Sequence, residues 1–310
     1  MLTRDNLVGS WAGLPVAWTD DDTFDEEAYR GNVRRCCEIG MPGVYTGGTT
    51  GEFYAMEFDE FQAVARATVE ECHAHDTPVL IGCTSTYTRG VWRRMEVAAE
   101  LGADGVQIAL PFWMELQGDA IAGFFRDVGS AMGDMALSVY ETQRAKVALT
   151  LDQHKAVKET IPNYLMVKAN DQTLGFTPDG CEALSEFVNV FVGEHVWDEL
   201  GPRGAIGCCS ALVYWGPRVI LQHGENLKSK NWDAVSACCK KLRKLGAFFG
   251  QQYGSRGILD SAGDRMGGVA GGFLKTGLHS RGPYKGVTPD DVEKLRQWFR
   301  DNFPEMLEWK

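Results

Sequence analysis

With 310 residues, 44% of them hydrophobic, the chain holds enough apolar material for a large core, and a single α/β barrel accounts for that length. The formal net charge of −11 argues against a polyanionic partner, because binding nucleic acid takes a basic stripe that displaces counterions. No run approaches the roughly 18 apolar residues of a membrane helix, and residues 1–13 lack the apolar core of a secretory signal, so a cytoplasmic protein with no nucleic-acid or membrane partner is expected.

Eight short apolar runs read as strands, at 8–17, 43–46, 78–83, 105–110, 135–140, 164–168, 188–193 and 204–209. Amphipathic stretches separate them. Within 59–72, Phe61, Val64, Ala65, Val69 and Cys72 share one helical face, and Val91, Met95, Ala98 and Ala99 do the same in the next stretch. Thr23 with Glu26, and Thr150 with Gln153, have capping-box spacing. Thr177-Pro178 and Thr288-Pro289 each set a capping hydroxyl before a proline suited to the first helical position. Strands alternating with helices call for a parallel sheet, and eight of them close a barrel. The expected architecture is therefore α/β, a (β/α)8 TIM barrel over residues 1–220. Residues 221–310 read as a C-terminal helical extension packed on it, within one structural unit.

The nine cysteines include three adjacent pairs, Cys36-Cys37, Cys208-Cys209 and Cys238-Cys239, with no C-x-x-C spacing. That pattern reads as reduced, mostly buried thiols. No H-E-x-x-H or comparable ligand spacing occurs, so no metal site is expected, and His73 and His75 read as a solvated helix end.

In such a barrel the chemistry sits at the C-terminal ends of the strands. Strand two runs out into Gly47-Gly48-Thr49-Thr50-Gly51-Glu52, strand five ends at Tyr140 and strand six at Lys168. Burial of a lysine at a strand end is expected to lower its pKa and populate the free amine that attacks a carbonyl. The alternative is a lysine that snorkels to the surface. Tyr140 reads either as a rim packing residue or as a phenol that relays protons beside that lysine. The glycine-threonine run lacks the lysine of a phosphate loop. It reads as a tight turn whose N–H groups and hydroxyls hold a carboxylate, or as a plain strand-to-helix turn.

On these residues the chain resembles the dihydrodipicolinate synthase and N-acetylneuraminate lyase superfamily of pyruvate-dependent class I aldolases. The likeness begins at Gly13-Leu14-Pro15-Val16-Ala17-Trp18-Thr19 and runs through the last barrel strand, and Gly48-Thr49-Thr50-Gly51-Glu52 fits the family's G-T-T-G-E motif. The resemblance implies that Lys168 forms the Schiff base and that Tyr140, backed by Thr50, moves the protons. It implies that Gly48, Thr49 and Thr50 hold the pyruvate carboxylate, that Gly193 lies beside the substrate, and that the Ile206 carbonyl faces the reacting centre. It further implies a lyase acting on pyruvate and an aldehyde, with no cofactor beyond the covalent lysine adduct, assembled as a homotetramer of paired dimers.

Departures from the family pattern bear on substrate choice. Dihydrodipicolinate-forming members read Y-N-x-P after the tyrosine and then an arginine that grips a carboxylate. Here the segment is Tyr140-Glu141-Thr142-Gln143-Arg144-Ala145, with the arginine one place early. The fourth loop carries Phe112-Trp113 where two tyrosines are usual, which resembles the hydroxybenzylidenepyruvate hydratase-aldolase branch. Phe112, Trp113 and Trp197 would then build an aromatic acceptor pocket, with His195 near the substrate; the alternative for each is packing. A keto-deoxy sugar acid dehydratase using the same lysine, a dihydrodipicolinate synthase and a non-catalytic homologue stand as the other readings.

Overall fold

The computed structural model describes residues 1–309. Strand–helix units follow one another as β1 (Gly9–Gly13), α1 (Glu26–Glu38), β2 (Val44–Thr46), α2 (Phe58–His73), β3 (Val79–Gly82), α3 (Thr88–Glu100), β4 (Gly105–Ile108) and α4 (Asp119–Ser130). The second half continues with β5 (Ala136–Tyr140), α5 (Leu151–Thr160), β6 (Tyr164–Lys168), α6 (Pro178–Ser185), β7 (Asn189–Phe191), α7 (Trp197–Leu200) and β8 (Ala205–Ser210). Helices α8 (Leu212–Trp215), α9 (Pro217–Lys228), α10 (Trp232–Tyr253), α11 (Asp260–Ala270) and α12 (Pro289–Asn302) complete the chain. All eight strands pair in parallel and in order, and β8 returns to β1 to close the barrel. The expected (β/α)8 barrel is the observed fold. Residue 220 falls inside α9, so the helical extension proper is α10 to α12.

Local signals set most helix starts. Thr150 and Gln153 form the reciprocal capping box of α5, Thr177 caps α6 with Pro178 at the start, and Thr288 with Asp291 boxes the start of α12. Thr23 does not cap α1. Asp25 does, accepting from the Ala28 N–H, while Thr23 hydrogen-bonds Thr19 in the preceding turn. The first strand is also shorter than the expected 8–17. Pro15 has no N–H to give a ladder, so β1 stops at Gly13 and the chain runs on as buried, non-strand backbone.

Two apolar layers hold the fold. Trp11, Tyr45, Leu80, Ala136, Met166 and Phe191 cluster inside the barrel, and a larger layer fills the space between sheet and helices. Gly13 makes room for the Tyr45 ring, since a Cβ there would lie 2.4 Å from it. In α11, a Cβ on Gly267 would lie 1.8 Å from the Trp215 ring, so glycine there lets α11 seat on α8. All nine cysteines are free and none is fully exposed, and among the described residues no group of three or more His, Cys, Asp or Glu is placed to hold a metal. No described helix is long and apolar enough to cross a membrane.

Candidate active site

The register of the barrel puts Tyr140 and Lys168 side by side, each the last residue of its strand. Both are half-buried at the C-terminal mouth. The Lys168 Nζ donates to the Tyr45 hydroxyl at 3.1 Å and lies 4.0 Å from the centre of the Tyr140 ring, a cation–π arrangement. The Tyr140 and Thr49 hydroxyls are 3.3 Å apart. The nucleophile candidate, the phenol and the first threonine of the turn thus form one contiguous group.

The charge state of Lys168 differs from the sequence expectation. Burial works against its ammonium, but Tyr140, Tyr45 and Cys209 around it favour the charge and carry its pKa well above the ordinary lysine value. For Tyr140, burial alone would raise the phenol. The Lys168 charge, hydrogen bonds from Thr49 and Thr142, and Arg144 outweigh it, and the pKa lies below the usual tyrosine value. The two shifts have one cause: the Lys168 ammonium and the Tyr140 phenolate each favour the charged form of the other.

The two threonines divide their work differently from the expectation. Thr49, not Thr50, meets the Tyr140 hydroxyl, and Thr50 Oγ1 donates instead to Asp264 Oδ2 at 2.6 Å. Asp264 comes from α11, in the extension, and burial pushes its carboxyl up to about 7. The same helix anchors the other end of the turn. Glu52, at a left-handed φ of 51°, accepts from Ser261 at 2.6 Å, from Arg265 at 3.3 Å and from the Trp18 indole N–H. Glu52 and Arg265 are both buried.

Beside Tyr140 opens a cavity of about 240 Å³ lined by Phe53, Tyr54, Phe112, Leu259 and Tyr284, with Thr49, Thr84, Thr142 and Arg144 among its polar members. Phe53 packs edge-on against Phe112 at 5.8 Å, and Tyr54 against Tyr284 at 5.1 Å. Arg144 faces this cavity and is paired with Asp260 of α11 at 2.7 Å.

Several expected members are elsewhere. Trp113 is 75% exposed, held only through its carbonyl by Lys146, so it forms no wall of the cavity. Trp197, the first residue of α7, is buried against the His223 ring of α9. Ile206 is the second residue of β8, near the N-terminal end of the barrel. Its side chain lines a groove with Pro42, Gly204 and Leu221, while the expectation concerned its backbone carbonyl. Gly193 follows β7 on the correct face and is covered by the exposed His195, whose ring would lie 2.7 Å from a Cβ there. Gly48 is buried against Tyr45. Sequence reasoning missed Tyr45, Asp264, Arg265, Phe53, Tyr54 and Tyr284.

Comparison with known proteins agrees with this fold. Residues 6–273 match the Dihydrodipicolinate synthetase family. A trans-O-hydroxybenzylidenepyruvate hydratase-aldolase of Pseudomonas aeruginosa is 26% identical over 151 residues, 46% of this chain and 45% of that protein, so the match spans about half the length of that relative. An uncharacterised DapA-like lyase of Halobacterium salinarum is 33% identical over 66% of this chain and 67% of that one. Among solved structures, PhdJ bound to a substrate intermediate superposes with a TM-score of 0.84 at 25% identity, over 99% of this chain and 98% of that one. YagE from E. coli K12 in complex with pyruvate, at 17% identity, superposes with a TM-score of 0.85 over 95% and 98% of the two chains and supports the fold. The chain belongs to the Dihydrodipicolinate synthetase family.

Proposed function

We propose that this chain is a Schiff-base-forming lyase that makes or breaks a C–C bond between pyruvate and an aldehyde, with Lys168 as the nucleophile. The observation that carries the reading is the Lys168–Tyr140–Thr49 group at the barrel mouth beneath a ring-lined cavity. Lys168 attacks C2 of the oxo acid once its proton has passed to Tyr140, and loss of the C2 hydroxyl as water leaves a protonated imine. In the cleavage direction the C3–C4 electron pair flows into that imine. An enamine stays on Lys168, the aldehyde departs, and its hydroxyl proton goes to Tyr140. Protonation at C3 and hydrolysis then release pyruvate. Every step is written with the lysine as the electron sink, so no metal or organic cofactor enters the reading. A homo-oligomer in the cytoplasm belongs to it by family likeness.

The cavity favours an aromatic aldehyde, since Phe53, Tyr54, Phe112 and Tyr284 offer ring edges and faces. The hydratase-aldolase relatives support the same class. A keto-deoxy sugar acid, with its several hydroxyls, is a poorer match than an aromatic aldehyde to walls made mostly of ring faces and Leu259. Dihydrodipicolinate synthesis fits less well too, because Glu141 stands where the family asparagine is usual and turns inward to accept from the Leu149 N–H at 2.9 Å.

Intact-protein mass spectrometry after borohydride reduction with pyruvate tests the reading. One pyruvate-sized adduct on the native chain, absent from Lys168→Ala, is the expected result. A native chain that takes no adduct sinks it.

A further inference from the structure

Asp264 places a carboxyl on the very hydroxyl that a substrate carboxylate would seek. The turn after β2, buried except for the half-buried Thr50, is the part of the site to which the proposed function assigns the substrate carboxylate. Its Thr50 hydroxyl is already given to Asp264 Oδ2 at 2.6 Å. Two ionised carboxylates at one hydroxyl repel each other, and half-burial at the mouth weakens the screening by water.

We propose that Asp264 makes substrate binding proton-linked: the 2-oxo acid carboxylate is accepted at Thr50 only with Asp264 protonated, so binding takes up one proton. The inference rests on the pyruvate reading above and goes beyond it, since it sets which protonation state of the protein admits the anion. Once protonated, Asp264 has an O–H to donate to the incoming carboxylate, which turns the repulsion into a hydrogen bond.

The backbone that carries the carboxyl is fixed against α8. The Trp215 indole N–H donates to the Asp264 carbonyl at 2.9 Å, and Gly267, one turn on, lies against the Trp215 ring. The groups that face it from each packed element are consistent with a carboxyl that changes state near neutral pH. On its own helix Asp260 raises it, and Arg265, already paired with Glu52, lowers it. From β6 the Lys168 charge lowers it, and from the turn the Thr50 hydrogen bond does so too. From α8 comes the phenol of Tyr214, which burial keeps neutral. Burial outweighs the lowering influences and places Asp264 at about 7. A bound carboxylate pushes it higher. Lys168 adds no net proton to the balance, because an ammonium becomes a protonated imine with loss of water.

The test measures the half-saturating pyruvate concentration from borohydride-trapped adduct between pH 5.5 and 9, for the native chain and Asp264→Asn. Calorimetry of pyruvate binding in two buffers of different ionisation enthalpy, at pH 8, counts protons directly. In the native chain the half-saturating concentration is expected to be flat at low pH and to rise about tenfold per pH unit above about pH 7, with close to one proton taken up. Asp264→Asn keeps a hydrogen-bonding side chain and is expected to lose both the slope and the uptake while still forming the adduct. Asp264→Ser, smaller and uncharged, should behave the same way, which separates the charge from the packing. Equal slopes in the native chain and both variants, or no proton uptake, overturn the proposal and leave the Schiff-base reading standing. Absence of any adduct in the native chain removes both.

Discussion

The Lys168 amine points its hydrogen bond at Tyr45 and its charge at the face of Tyr140. The first contact is 3.1 Å to a hydroxyl, the second 4.0 Å to a ring centre. The two tyrosines thus have separable parts: Tyr45 aims Nζ, and Tyr140, joined to Thr49, is the proton station.

Tyr45→Phe keeps the ring that fills the barrel and removes the acceptor. A part-buried donor left without a partner costs about 1–3 kcal/mol, and the rate of pyruvate trapping on Lys168 is expected to fall roughly tenfold. Tyr140→Phe keeps the ring face but removes the relay, and turnover is expected to fall by about 10² to 10⁴. Rapid-quench borohydride trapping separates adduct formation from turnover. If Tyr45→Phe traps pyruvate as fast as the native chain, Tyr45 has no aiming role.

Arg144 and Asp260 are each about half exposed, at 53% and 54%. Such pairs contribute about 0–1 kcal/mol, so the contact opens at little cost when a polar group of the second substrate enters the cavity. Arg144→Ala is expected to raise the KM for the aldehyde severalfold while pyruvate trapping and thermal stability stay unchanged. Steady-state kinetics with a panel of aromatic aldehydes reads this out, and an unchanged aldehyde KM would remove Arg144 from the acceptor site.

Much of this fold was legible in the chain because the strand period and the capping pairs are local. Thr150 with Gln153 and Thr288 with Asp291 close their boxes within four residues. Lys168, Tyr140 and the threonine turn were legible because they lie at strand ends, where a barrel concentrates chemistry. The remainder was hidden for two reasons. Thr50 meets Asp264 across 214 positions, and Glu52 meets Arg265 across 213, with nothing in the glycine-rich stretch of α11 to announce either contact. The other reason is direction. Trp113 occupies a position that a motif fixes along the chain, yet the motif says nothing about where a side chain points, and here the indole is 75% exposed and outside the cavity. Tyr45 is the converse case, an apolar-looking strand residue turned inward by the space that Gly13 leaves.

Asp291 supplies a stability limb in acid. Two Arg256 hydrogen bonds, at 2.6 and 2.9 Å, and the Thr288 cap hold its carboxyl down at about 2. The folded value lies below the ordinary carboxylate value of about 3.9. Its contribution is therefore fully present above that value and is lost as pH falls through about 2. Asp291→Asn is expected to lower the melting temperature at pH 7 and to flatten the acid limb between about pH 4 and pH 2. Melting curves across that range test it, and a variant with an unaltered acid limb would refute the assignment.

Glu52 joins the substrate turn to the extension, and its removal should be felt in both. Its carboxylate accepts from Ser261, Trp18 and Arg265, and these contacts hold the residue in the left-handed backbone region that side chains other than glycine rarely occupy. Glu52→Gln preserves the shape but leaves the Arg265 guanidinium, with no exposed surface, without its ion-pair partner. Breaking a buried pair from one side costs about 3–5 kcal/mol, a large share of the roughly 5–15 kcal/mol that holds a domain folded. The double variant Glu52→Gln with Arg265→Met is expected to recover part of that loss in urea unfolding, because the orphaned charge goes with its partner. Pyruvate trapping is expected to be weakened in both the single and the double variant, since the Arg265 tie between the turn and α11 is lost in each while Thr50–Asp264 alone holds the other end. A single variant that loses under about 1 kcal/mol would mean the ion pair carries little of the fold. A double variant that regains full trapping would mean the turn keeps its shape without the Glu52–Arg265 pair.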